Sequence, residues 1–374
     1  MNAFQKETVM RKILGLALTA IAVTLIAAGC VRPPMREGSA GGYAVDAAWP
    51  RPLPNNWTIG QVAGIAVDAR DHVWLIHRPK TLIDEEKGAA LSPPRAKCCV
   101  AAPPVLESDA AGYLLRAWGG PGQGYEWPEN EHGIYVDGQG NVWVGGNDPK
   151  DHQLIKFTPD GKFLMQVGRA GQTGGSNSTT LLGRPAHMEI DAKASELYIA
   201  DGYGNKRVIV LDAATGAYKR HWGAYGKAPS DEKLPMYNAQ SPQFANPVHC
   251  VRLSNDNLVY VCDRANNRVQ VFSKDGTFLK QFAFEEKSLG SGSSFDLVFS
   301  GDPDQKYFYL ADGTNDQVLT VERGSGRVIG SFGRPGRYAG QFLVLHNIGI
   351  DSKGNLYTAE VGSGKRAQKF RPAK

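Results

Sequence analysis

An all-β chain closed into a six-bladed propeller follows from three features of the sequence. A phrase recurs six times, the composition is rich in Gly and Pro, and a short early stretch matches the one strand that the last copy of the phrase lacks. The 374 residues include 44 Gly and 22 Pro, too many for a helical bundle and suited to short strands joined by turns. The 42% hydrophobic and 21% charged content is that of a folded body. Of the +5 formal charge, Lys6, Arg11 and Lys12 against Glu7 place +2 in the first 29 residues and leave +3 on the body. A charge that small gives no footprint for nucleic acid, and no nucleic-acid partner is expected.

In chain order, Arg11 and Lys12 precede an apolar run, Ile13–Ala28. The run is shorter than the roughly 20 residues of a membrane span, so residues 1–29 read as a secretory signal peptide. Ala27-Ala28-Gly29-Cys30 resembles a bacterial lipobox, with Ala27 where the box prefers Leu. Cys30 is the expected lipidation site and residues 30–42 a tether. The expected location is the cell envelope, lipid-anchored to a membrane. Val31 is not the Asp of inner-membrane retention, which places the anchor in the outer membrane, on its periplasmic side.

The propeller occupies 43–374. The inner strands of its six copies begin around Gly64-Ile-Ala-Val-Asp68, His132-Gly-Ile-Tyr-Val-Asp137, Met188-Glu-Ile-Asp191, His249-Cys-Val-Arg-Leu-Ser254, Phe295-Asp-Leu-Val-Phe-Ser300 and His346-Asn-Ile-Gly-Ile-Asp351. Second strands such as Leu197-Tyr-Ile-Ala-Asp201 and Val259-Tyr-Val-Cys-Asp263, and third strands such as Arg207-Val-Ile-Val-Leu211, repeat in step. Four strands per copy make a propeller blade. The wording resembles the NHL-repeat family from about residue 56 to 372. The sixth copy ends after its third strand, so Tyr43–Trp49 is expected to supply the fourth and cover the open edge. An insert, 79–104, interrupts the first blade, and an insert of that length is usually functional or disordered. It carries the vicinal Cys98-Cys99, for which a disulfide is conceivable. Cys250 and Cys262 fall on neighbouring strands but, by strict alternation, on opposite faces, so no bridge is expected between them.

Function is read from what departs from the repeat. Five residues before the strand-end Asp or Ser, the six copies hold Ala63, His132, Ala186, His249, Phe295 and His346. Three of the chain's eight His in six such slots arise by chance on the order of 2 times in 10,000. The slot lies at the entrance of the innermost strand, beside the central channel. Three imidazoles aimed at one axial point, with a fourth position open, make the donor set of a catalytic zinc. His187 lies one residue out of this register and is therefore left out of the set. His72, His77, His152 and His221 sit in turns or outer strands, where surface or packing roles are expected.

His132-Gly-Ile-Tyr-Val-Asp, Asp201-Gly-Tyr-Gly-Asn-Lys-Arg207, Asp263-Arg-Ala-Asn-Asn-Arg268 and Leu345-His346 resemble peptidyl-α-hydroxyglycine α-amidating lyase, a six-bladed propeller with a central zinc on three histidines. The resemblance implies His132, His249 and His346 as zinc ligands, Tyr203 as the catalytic tyrosine, and Arg78 and Arg264 as active-site arginines. It also implies a small-molecule or peptide substrate. Gly204 stands where the lyase carries a disulfide Cys. Asn347 stands where it carries an Asp, which argues against a linked calcium. The chemistry suits these residue types: a phenolate can take the hydroxyl proton of a carbinolamide, zinc can act as Lewis acid, and guanidinium pairs can grip a carboxylate. Two rival readings stay open, a metal-dependent hydrolase or lactonase and a non-catalytic lipoprotein scaffold. The all-His donor set argues against the first. Tyr203 with the two arginines argues against the second.

Overall fold

The computed structural model describes residues 42–373; the signal segment, most of the tether and Cys30 lie outside them. The described residues form six four-stranded antiparallel sheets and one two-stranded parallel pair, with five short 3-10 turns and no α-helix. Each sheet takes its strands in sequence order, inner to outer, except the sixth. There the order is Leu345–Ile350, Leu356–Glu360, Arg366–Pro372 and then Tyr43–Val45 from the N-terminal side of the chain. Tyr43 pairs with Pro372, Ala44 with Arg371 and Val45 with Phe370, so the ring closes as the missing strand required. Trp49 follows, 5% exposed, its ring 5.2 Å from that of Tyr357.

Alternating apolar residues on each strand point towards the two neighbouring blades. The core is accordingly divided into six hydrophobic clusters, one per blade interface. Between the third and fourth blades, for instance, Tyr198, Val210 and Trp222 meet Val251, Val261 and Phe272. The repeated Asp and Arg of the second and third strands serve this framework. Asp201 pairs with Arg207 at 2.9 Å and Asp263 with Arg268 at 2.8 Å, all four side chains fully buried. Each arginine then donates to carbonyls of the loop before its blade: Arg207 to Ser176 and Leu181 at 2.9 and 2.8 Å, Arg268 to Ala239 and Ser241 at 2.9 and 2.8 Å. A buried guanidinium is tolerated because its charge and its N–H groups are satisfied.

The insert is ordered. It runs through 3-10 turns at Pro79–Thr81, Asp84–Glu86 and Gly88–Ala90, then lays Val100–Ala101 parallel to Trp57–Thr58. Cys98 and Cys99 are joined as a vicinal disulfide. Lys365 of the sixth blade reaches across to Glu86 at 2.6 Å.

One expectation is corrected. Cys250 and Cys262 are bridged, with Cα atoms 4.8 Å apart. Strict alternation separated them, but the pairing Val248 with Asp263 steps to Cys250 with Cys262, skipping His249. One extra residue in the inner strand is a β-bulge, and it shifts the register so that both cysteines share a face.

Candidate metal centre and the residues above it

The same bulge makes the site. The pairing steps over residues 63, 249, 295 and 346 in four inner strands, that of His249 included, and an extra residue also falls between Glu131 and Ile134 in a fifth. The repeating slot is thus the bulged position in five of the six blades. A bulge re-aims the side chain it carries. Here it turns His132, His249 and His346 out of the sheet and into the channel. Close approach of the inner strands also matters: a Cβ on Gly133 would stand 2.8 Å from the Ala186 carbonyl oxygen.

The three rings form a near-equilateral triangle, with centroids 5.2, 4.8 and 4.8 Å apart. Their candidate ligand nitrogens all lie within 4.8 Å of one another. Each Nδ1–H donates to a backbone carbonyl: His132 to Ala186 at 2.9 Å, His249 to Phe295 at 2.6 Å, His346 to Ala63 at 2.8 Å. The acceptors are the slot residues of the next blade in each case. Histidine therefore occupies alternate blades, and the intervening Ala63, Ala186 and Phe295 act through their carbonyls. This is the hydrogen bonding that orients metal-bound imidazoles.

With Nδ1 protonated, the three Nε2 atoms face one another as lone pairs. His249 and His346 Nε2 are 3.2 Å apart, close to the edge of a tetrahedron whose arms are about 2.0–2.1 Å, as for zinc. The Tyr203 hydroxyl lies 2.9 Å from His132 Nε2 and 3.1 Å from His249 Nε2, but one proton cannot serve three acceptors. Burial holds all three histidines well below their ordinary pKa, reinforced by the Arg264 guanidinium at each, by Arg78 at His132 and His346, and by His346 at the other two. A neutral imidazole is the form that can serve as a metal ligand. The donor set fits a divalent cation of the zinc type.

The other expected residues converge on the same mouth. Arg264 Nη1 donates to Tyr203 Oη at 3.1 Å, and its guanidinium lies 4.6 Å from the Phe295 ring centroid. Arg264 Nε is buried without a partner. Arg78 is 8% exposed and held on three sides: Nε to the Glu131 carbonyl at 2.7 Å, Nη1 to Gln61 at 2.9 Å, Nη2 to Asn147 at 3.3 Å. Burial lowers its pKa. Tyr203 rides on a loop set directly against the strand of His249: Asn246 Nδ2 donates to the Gly202 and Asn205 carbonyls at 2.7 and 2.8 Å. His187 is buried, but stands outside the triangle.

Arg184 was not legible in the sequence. Its backbone takes φ +60°, rare for a side chain of that size. Its carbonyl accepts the Tyr203 N–H at 3.1 Å and its guanidinium lies 5.6 Å from the Tyr203 ring, as does that of Arg264. Arg184 Nε donates to the Asn147 carbonyl at 3.0 Å, and Asn147 Oδ1 receives Arg78. Position −2 from the slot was the available signal, but its residue type varies from blade to blade.

The NHL repeat profile matches residues 248–272, the inner three strands of the fourth blade. NHL repeat-containing protein 3 of Mus musculus is 30% identical over 283 residues, covering 72% of this chain and 73% of its own. The chain belongs to the NHL-repeat family. Among its other relatives, peptidyl-alpha-hydroxyglycine alpha-amidating lyase 2 of Drosophila melanogaster is 25% identical over 339 residues, 85% of this chain and 74% of that protein. Peptidyl-glycine alpha-amidating monooxygenase B of Xenopus laevis is 25% identical over 350 residues. This NHL protein spans about a third of that relative's length, 35%. The structure of streptogramin B lyase shares the fold, with a TM-score of 0.50 at 10% identity over 84% of this chain and 94% of that one.

Proposed function

We propose that this NHL propeller is an extracytoplasmic, zinc-dependent lyase that cleaves the C–N bond of a carbinolamide, converting a peptidyl-α-hydroxyglycine-like substrate to an amide and glyoxylate. The observation that carries the reading is the Tyr203 hydroxyl, within hydrogen-bond reach of two imidazoles of the triangle and of Arg264. A repeat-family scaffold has no need of that arrangement. Similarity to proteins named as amidating lyases supports the substrate class.

His132, His249 and His346 would hold the metal, which supplies a Lewis acid when bound. Tyr203 Oη, beside the Arg264 guanidinium, takes the proton of the substrate hydroxyl as general base. The carbinol C–O becomes a carbonyl as the C–N bond breaks, and its electron pair passes to the amide nitrogen. The proton on Tyr203 returns to that nitrogen, so the step balances without a co-reactant. Arg78, held by Glu131, Gln61 and Asn147, keeps two N–H groups for the glyoxylate carboxylate. The unpartnered Arg264 Nε is a second donor for it.

The compartment is part of the proposal. Two disulfides, Cys98–Cys99 and Cys250–Cys262, suit an oxidising space outside the cytoplasm. They agree with a signal peptide ahead of Cys30 and with a lipid anchor at that residue. The test is glyoxylate release from a synthetic α-hydroxyglycine peptide, together with metal analysis of the purified protein. Bound zinc without glyoxylate release would remove the lyase reading and keep the metal centre. Absence of bound metal would remove both.

A further inference from the structure

We propose that Asp296 is a positioning residue for the metal centre, a single carboxylate that locks the strands carrying His249 and His346 to each other. The inference rests on the zinc reading of the three histidines.

Asp296 is fully buried and follows Phe295, whose carbonyl receives His249 Nδ1–H at 2.6 Å. Its Oδ2 accepts Asn347 Nδ2 at 2.9 Å and the Ile348 N–H at 3.2 Å, immediately after His346. Arg252, three residues beyond His249 on the same strand, donates Nη2 to Oδ2 at 2.7 Å and Nε to Oδ1 at 3.1 Å. The Leu297 N–H completes the set at 2.9 Å, and Arg252 Nη2 also reaches the Ile348 carbonyl at 3.3 Å. Three inner strands from three blades thus meet on one side chain. The repeat does not account for it: the equivalent positions hold Gly64, Gly133, His187, Cys250 and Asn347. A buried charge held by five donors is a rigid anchor. Rigidity matters at this place because the bulged slots of His249 and His346 have no partner on the adjacent strand, so their rings are held only through carbonyls of neighbouring blades, and movement between blades would misplace them.

The test compares the full chain with Asp296→Asn and with Asn347→Leu, titrating zinc against a chromophoric chelator and recording apo-protein melting separately. Asp296→Asn keeps the volume and removes the charge. Asn347→Leu removes one donor and leaves the Asp296–Arg252 pair intact, so it stays informative should the first variant fail to fold. Zinc affinity is expected to fall by about 10–100-fold in both, the usual effect of losing an outer support of a metal site. Wild-type zinc affinity in the variants, whatever their melting temperatures, overturns the inference while the metal reading stands. A wild-type chain that takes up no zinc overturns both.

Discussion

Tyr203 and the three histidines divide the labour of the site, and substitutions should separate them. Tyr203→Phe keeps the ring between Arg184 and Arg264 and removes the hydroxyl that sits 2.9 Å from His132 Nε2. Turnover of an α-hydroxyglycine peptide should drop by roughly 10²–10⁴-fold, with zinc content unchanged. His249→Ala removes one of three ligands and should lose metal and activity together. Steady-state kinetics paired with metal analysis of both variants checks this, and comparable activity in Tyr203→Phe would remove Tyr203 from the mechanism. Gly202 shows how little room the Tyr203 loop has: a Cβ there would fall 1.9 Å from the Val248 carbonyl oxygen. The loop rests on the very strand that carries His249, which is how residues of two blades meet.

At the scale of the strand, the bulge is the device that converts a structural repeat into a site. An unbulged inner strand would leave position 249 paired within the sheet. The bulge frees it and at the same time brings Cys250 opposite Cys262. The bridge ties the strand that carries His249 to its neighbour, one residue from the histidine. Replacing both cysteines by Ser should lower stability by about 2–4 kcal/mol, the range for native disulfides. Denaturant titration of the double variant against wild type measures it. Because the bulge belongs to the repeat, the variant should still bind zinc.

At the scale of the whole molecule, six wedges must close into a ring, and the closing strand comes from the opposite end of the chain. Deleting residues up to Trp49 would expose the edge of Arg366–Pro372 and remove an aromatic contact to Tyr357. Its melting temperature should fall well below that of a chain starting at Gly42, by thermal denaturation of the two. The ring also carries buried neutral histidines. Burial pushes His77 down to about 4 and His187 to about 3, against about 6.5 in an unfolded chain. Between those values the unfolded state binds protons that the folded state does not. Stability is therefore full above about pH 6.5 and falls as pH drops towards 4 and then 3. His77 Nδ1 accepts from the Gly60 N–H and its Nε2–H donates to the Pro103 carbonyl at 3.0 Å. Melting curves from neutral pH to about 4.5 should slope less in His77→Gln, where an amide replaces both bonds without titrating.

Fold, blade count and the identity of the three channel histidines were legible in the sequence, because the repeat period and the slot register are local and survive without knowledge of packing. A closing strand within Tyr43–Trp49, found at Tyr43–Val45, was legible for the same reason: the last copy of a counted pattern is one strand short. Three things depended on tertiary structure. The Cys250–Cys262 bridge needed the bulge, since a one-residue shift exchanges the faces of a strand. The grip of Arg184 on Tyr203 joins a variable position to a repeat motif across a turn with positive φ, and no spacing rule reports that. The convergence of His132, His249 and His346 with Arg78 and Arg264 needed the ring itself. Sequence periodicity sets which way each side chain leaves its own blade, and only closure decides which blades then face one another across the channel.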